Sequence, residues 1–340
     1  MVTTAPASLP SCSRTARASG DEPIGCEIAR EHFVLLETPL PWPADIEDAR
    51  HIPQRVRDLV ERFEHGSQEL YVLGLAPDAS YSLPGYTRIL SFRRPTGAFN
   101  AFERAEYLVP HATVPDVMEM LCLAPDTAAQ FSQWLAPGPG LRDLLVCTHG
   151  AQDLCCARYG YPAYRRLRER YGAQPGVRIW RSSHFGGHRF APTMLEFPTA
   201  RGWAWLDDNT ADRLVERSGQ LPDLYRHYRG CAGLGFFAQV AERAIFSQVG
   251  WDWLDYRISA EITSGDPGEQ DIYPVFADDP PPPIGVRIDY RAPSGRTGSW
   301  WAEVVPRDQV TTHGECSLDY LHPTWRFDAP SLEHIPGATH

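Results

Sequence analysis

Short apolar runs alternate with amphipathic stretches twice along this chain, once on each side of the breaker APGPGL at 136–141. From His32, the runs HFVLLE, ELYVLGLA, TRILSF and EYLVP read as strands, and ADIEDARHIPQRVRDLVERFE and VPDVMEMLCLA read as helices. Beyond the breaker, LRDLLVC and VRIW flank a helix expected from about Ala157 to Arg170, with Tyr161, Tyr164, Leu167 and Tyr171 on one side. TMLEF and WAWL, joined by the turn-rich PTARG, read as a hairpin, and NTADRLVERSG and LGFFAQVAERAIFSQVG read as helices. Alternation of this kind confines the chain to an α/β fold. The expected organisation is an irregular lead-in over 1–30, one α/β domain over 31–137, a second over 138–255, and a small β-rich C-terminal region over 256–340. In that last region YRISAEITS, IYPVFA, IGVRIDYR and SWWAEVV read as strands, with Trp300 and Trp301 alternating between core and surface.

Composition removes whole classes of function. A length of 340 residues suggests two or three domains, and 43% apolar residues fill their cores. A net charge of -11 with no basic cluster sets nucleic-acid binding aside. No apolar run approaches the roughly 18 residues of a membrane span, and MVTTAPASLP lacks a basic patch and a greasy stretch, so the expected location is cytoplasmic. Every basic residue is arginine; without lysine there is no Schiff-base, pyridoxal-phosphate or P-loop chemistry. In a reducing compartment the eight cysteines are expected as buried thiols or metal ligands rather than disulfides.

Two loops carry the candidate chemistry. LLVCTHGAQDLCCARYG sets Cys147 at a strand end and Cys155 and Cys156 at a helix start, where free N–H groups and the helix dipole favour thiolate. SSHFGGHRFAPTM holds His184 and His188 around Gly186 and Gly187; each glycine weakens a helix by roughly 1 kcal/mol, so a tightly curled loop is expected. Both loops open at one end of the sheet, which makes Cys147, Cys156, His184 and His188 the candidate ligands. Thiolate with imidazole suits zinc or an iron-sulfur cluster and excludes calcium and magnesium. Zinc knuckles hold their cysteines about two to four residues apart, whereas the interval from Cys147 to Cys156 is wide. A two-iron cluster gives each pair its own metal, although the C-x-H and C-x-x-H signature of Rieske centres is absent. Sequence alone does not separate Cys155 from Cys156. His149 reads as loop decoration, with a supporting donor or substitute ligand as alternatives, and Arg189 as an ordinary ion-pair partner, with tuning of the site's charge and of partner docking as the alternative. Cys12, Cys26, Cys122, Cys231 and Cys316 are too widely spread to form a second cluster by spacing and read as buried thiols.

The element order of the second domain is similar to the thioredoxin-like arrangement, with Pro192 at the place of a prolyl residue that is commonly cis and faces the active loop. VCTHGAQDLCCARYG, followed by SHFGGHRFAPTMLEFP and RGWAWL, resembles the sucrase/ferredoxin-like family of thioredoxin-like ferredoxins over about 141–206. CSRTARASGDEPIGCE and HFVLLETPLPWP also look like that family's amino-terminal half, and the last eighty residues carry no comparable motif. In these ferredoxins four cysteines hold a 2Fe-2S cluster. Cys147 matches the first, Cys156 in CARYG the second, and His184 and His188 stand for the other two, as in the bis-histidine, non-Rieske branch that includes the yeast actin-patch-distal protein. The resemblance implies two thioredoxin-like units, the first degenerate and without ligands. It also implies a one-electron, proton-coupled carrier of a 2Fe-2S cluster that serves a redox protein partner and is not itself a turnover enzyme. The alternative is a zinc-stabilised structural or interaction protein using the same four ligands. A thiol oxidoreductase using Cys155 and Cys156 is weaker, because adjacent cysteines do not make the C-x-x-C geometry. No placed carboxylate pair supports glycoside hydrolysis.

Overall fold

The computed structural model describes residues 11–64, 70–136, 138, 140–268, 274–314, 316–317 and 320–337. Where no fold was expected, within 1–30, a helix α1 (Cys12–Ser19) forms. The Ser11 side chain accepts from the Arg14 N–H at its start, and Gly20 closes it with a left-handed φ of 79°. Residues 1–10 of the expected lead-in lie outside the described residues.

β1 (His32–Glu37) is buried along its whole length, which is why HFVLLE lacks a polar alternation. Helix α2 (Gln54–Glu64) crosses over to β2 (Leu70–Leu75), parallel to β1. β3 (Tyr86–Arg93) lies antiparallel on the other side of β1, β4 (Glu103–Pro110) pairs with β3, and α3 (Val114–Leu123) follows. The second unit repeats the plan. β5 (Arg142–Cys147), α4 (Tyr161–Tyr171) and the parallel β6 (Val177–Ser182) precede the antiparallel β7 (Met194–Phe197) and β8 (Arg201–Trp203) and then α5 (Asp208–Glu216). β9 (Tyr228–Cys231) adds an edge strand and α6 (Phe236–Val249) follows.

The two units share one sheet. β2 meets β6 antiparallel at Leu75 and Ser182, and the Ser183 N–H donates to the Gly74 carbonyl at 2.8 Å. The order is therefore β4-β3-β1-β2-β6-β5-β7-β8-β9, with the same strand plan on each side of the joint. The sheet curls, so that Phe33 and Phe92 of the first unit meet Phe197 of the second at ring separations of 5.0 and 4.2 Å. Beside this apolar contact Arg178 forks between Glu106 at 2.9 Å and Asp143 at 2.7 Å, both carboxylates being buried.

A separate antiparallel sheet runs β10 (Arg257–Ser264), β11 (Ile284–Arg291), β12 (Thr297–Thr312) and β13 (His322–Pro336). Phe236 and Phe237 of α6 pack edge-on against Phe327 of β13. Trp300 is buried and Trp301 half-buried, the alternation expected of them. Three readings change. The strand expected at WAWL ends at Trp203, because Ala204 turns to donate to the His227 carbonyl. Tyr161 is exposed while Ala163, Leu167 and Tyr171 form the buried face of α4. Of IYPVFA, Ile272 and Tyr273 lie outside the described residues, and Pro274–Phe276 is a short helical turn. Among the described residues no helix is long and apolar enough to cross a membrane.

Candidate metal centre

β5 delivers Cys147 to a buried position at its C-terminal end. The helix that leads into α4 passes through a π-helical turn at Cys156–Gly160, a form that recurs at functional sites. Gly160 makes this possible: a β-carbon there would lie 1.9 Å from the Cys147 carbonyl oxygen. The glycine of CARYG therefore lets the helix cross the end of β5 at backbone contact, and Cys156 comes to Cys147.

The histidine loop follows β6. Gly186 and Gly187 hold φ of 84° and 70°, the left-handed region expected of the pair. A β-carbon on Gly187 would fall 2.6 Å from an Arg229 guanidinium nitrogen. That buried arginine pairs with Glu27 at 2.9 Å and supports the loop from below. The loop ends in a helical turn at His188–Phe190 and a cis Ala191–Pro192 bond, as Pro192 was expected to have.

Cys147 Sγ, Cys156 Sγ and a His184 ring nitrogen all lie within 4.8 Å of one another. His184 Nδ1 is 3.7 Å from Cys147 Sγ and 3.6 Å from Cys156 Sγ. His188 stands beside this group, its ring centroid 5.5 Å from that of His184. Its Nδ1 is turned to Asp153 Oδ2 at 3.3 Å and to Cys12 Sγ at 3.7 Å. Donation from Nδ1 to a carboxylate leaves Nε2 as the nitrogen with the free lone pair, the tautomer a ligating histidine needs. Three of the four candidates thus converge, with the fourth adjacent.

His149 is buried and not loop decoration. Its Nε2 donates to the Pro43 carbonyl at 2.6 Å and its Nδ1 accepts from the His184 backbone N–H at 3.2 Å. Burial lowers its pKa, so it stays neutral and fixes the backbone of His184. Arg189 pairs with Asp21 at 2.9 Å, the ordinary role expected. Burial alone would raise the Cys147 thiol, but contacts from Cys156 and His184 outweigh it and hold Cys147 well below the usual range. Cys156 is pushed up, chiefly by Cys147, so the pair keeps one proton on Cys156. A buried thiolate beside a second thiol and an imidazole is a donor set for a thiophilic metal.

The adjacent cysteines point to different neighbours. Cys155 Sγ lies 3.4 Å from Cys12 Sγ and 3.2 Å from Cys316 Sγ, away from Cys147. Cys12 and Cys316 are therefore not isolated thiols: folding brings them together across the whole chain. Of the other expected thiols, Cys231 is buried, Cys122 is half-buried and Cys26 contacts Arg229. Asp153 was missed, although its place two residues before Cys155 carries a signal. Its Oδ1 accepts from the Cys155 N–H at 2.7 Å, as an aspartate at a helix start does. Burial would raise its carboxyl, but His188 and the backbone N–H groups of Cys316 and Cys155 hold it below the usual range.

A family model described as sucrase/ferredoxin-like matches residues 23–230, a segment that contains the four candidate ligands but neither Cys12 nor Cys316. Comparison with curated proteins and with solved structures gives no match.

Proposed function

The chain belongs to the sucrase/ferredoxin-like family, and from that membership we propose an electron-transfer protein whose Cys147, Cys156, His184 and His188 hold a 2Fe-2S cluster. The observation that carries this reading is the meeting of two buried cysteine sulfurs with His184 at the end of β5, Cys147 already favouring thiolate. When bound, such a cluster supplies reversible one-electron chemistry.

Each residue has a part. Cys147 and Cys156, each 1% exposed, anchor the buried side. The His188 side chain is 20% exposed and His184 borders a cavity of about 200 Å³ together with Asp45, Tyr71 and Gln152. The histidines therefore stand on the side that a redox protein partner can approach. Two neutral imidazoles in place of two thiolates leave a formal charge of about zero instead of about minus two on the oxidised site, which favours electron entry. Asp153 holds the proton at His188 Nδ1, and His184 faces the cavity, so both rings have a place to exchange protons as the charge beside them changes.

Voltammetry tests this. The expected potential is well above the roughly -400 mV of four-thiolate plant-type ferredoxins and falls as pH rises between about pH 6 and 9. A flat, strongly negative response contradicts the reading. His188→Cys should keep the site but lower the potential and weaken its pH dependence; unchanged electrochemistry removes His188 from the ligand set.

One observation favours a second reading, a zinc-stabilised structural or interaction protein. Three donors within 4.8 Å of one another suit a single tetrahedral ion as well as part of a larger cluster. Colour separates the two, since zinc thiolates are colourless.

A further inference from the structure

We propose that Cys12, Cys155, Cys316 and Asp153 form a second metal site, distinct from the first, for one divalent thiophilic ion, zinc being the best fit. The four donors come from three places: α1, residues 153–155 at the helical start that leads into the π-helical turn, and the loop between β12 and β13. The cysteines of each pair lie 143, 161 and 304 positions apart, yet their sulfurs are separated by only 3.4, 3.2 and 3.4 Å. A tetrahedral ion with metal–sulfur bonds of about 2.3 Å spaces its sulfurs by about 3.8 Å, so a small outward movement of the thiols accommodates one. Asp153 completes the set, with a carboxylate oxygen and the three sulfurs all within 4.8 Å of one another and all four residues buried.

Core packing does not account for this arrangement. Asp153 is a buried carboxylate among thiols, and its ion-pair partner among the described residues is His188. The carboxylate also organises the site before any metal arrives: Oδ1 accepts from the Cys155 N–H at 2.7 Å and Oδ2 from the Cys316 N–H at 3.0 Å. These bonds hold two of the cysteine backbones around it. Soft sulfur donors with one oxygen suit zinc and disfavour magnesium and calcium. Binding changes no oxidation state. Each thiol exchanges its S–H bond for a bond to the metal, and the released protons pass to solvent.

The ion would act as a staple. It fastens α1 and the β12–β13 loop to the segment that carries Cys156, and through Asp153 it adjoins His188. Both segments lie outside residues 23–230, the portion that the family model matches.

Zinc and iron are measured together by mass spectrometry on the full chain purified from zinc-supplemented culture. The expected result is about one zinc per chain, retained in Cys147→Ser and lost in both Cys12→Ser and Cys316→Ser. As a check independent of these variants, wild-type chain stripped of zinc is given cobalt(II). Intense tetrahedral bands with thiolate-to-cobalt charge transfer are expected in wild type and in Cys147→Ser. Wild-type chain that neither holds zinc nor binds cobalt overturns the proposal. So does zinc that is lost in Cys147→Ser and kept in Cys316→Ser, which assigns the ion to the first site.

Discussion

Single residues decide whether side chains only a few positions apart reach the same site. Cys155 and Cys156 are neighbours, yet one sulfur joins Cys12 and Cys316 while the other joins Cys147. Nothing in the dipeptide distinguishes them; the π-helical turn does. His32 shows how a buried histidine sets acid sensitivity. Its Nδ1 accepts from Arg93 at 3.1 Å and its Nε2 meets Ser91 Oγ at 2.7 Å, a pairing that uses the neutral ring. Burial, reinforced by the Arg93 charge, pushes its pKa down to about 3. The unfolded chain, with an ordinary value near 6.5, therefore binds a proton that the folded chain refuses. Stability from this residue is complete above about pH 6.5 and is lost as the pH falls toward 3, at up to about 1.4 kcal/mol per unit. Urea denaturation between pH 7 and 4 should show a shallower decline for His32→Gln than for wild type. Parallel curves would remove His32 as the cause.

At the scale of elements, the central strands and the convergence of Cys147, Cys156 and His184 were legible in the sequence because their signals are local. β1 coincides with HFVLLE, Cys147 ends β5, Cys156 opens the turn into α4, and His184 comes just after β6. Elements whose reasons are tertiary were not legible. α1 is eight residues long and arginine-rich, and it is held from outside, with the Ser13 hydroxyl donating to the Ala191 carbonyl at 2.5 Å. β13 contains Pro323, Pro330 and Pro336, which argue against a strand; it is tolerated because it forms the edge of its sheet. Cys12 lies in α1 and Cys316 in the loop that leads into β13, so the second cluster was invisible to spacing. Where the π-helical turn crosses β5 the requirement is strict. Gly160→Ala places a methyl group against the Cys147 carbonyl, and backbone on both sides leaves little room to yield. Expected is a loss of about 3 kcal/mol or more in denaturant unfolding, with metal lost from the first site. A variant that melts and loads metal like wild type would show that the contact relaxes without consequence.

For the whole molecule, the two α/β units expected from the repeat are joined through their sheets. β2 and β6 pair, so neither half leaves those edges open, and one sheet carries both. The curled sheet and the fork of Arg178 between Glu106 and Asp143 fasten the halves together; removing one partner from a buried ion network of this kind costs about 3–5 kcal/mol. The first half, which carries none of the four candidate ligands, supports the site through Pro43, whose carbonyl receives His149, and Tyr71, whose hydroxyl donates to the His184 carbonyl at 3.2 Å. The curvature follows from contacts such as Phe92 with Phe197, which no local pattern announces. The central claim is that this joined scaffold holds an iron-sulfur cluster at Cys147, Cys156 and the two histidines. Iron and acid-labile sulfide analysis of anaerobically purified chain, with electron paramagnetic resonance after reduction, tests it most directly. The account predicts about two irons and two sulfides per chain and a half-integer-spin signal that disappears in Cys147→Ser; zinc at the first site with no labile sulfide would contradict it.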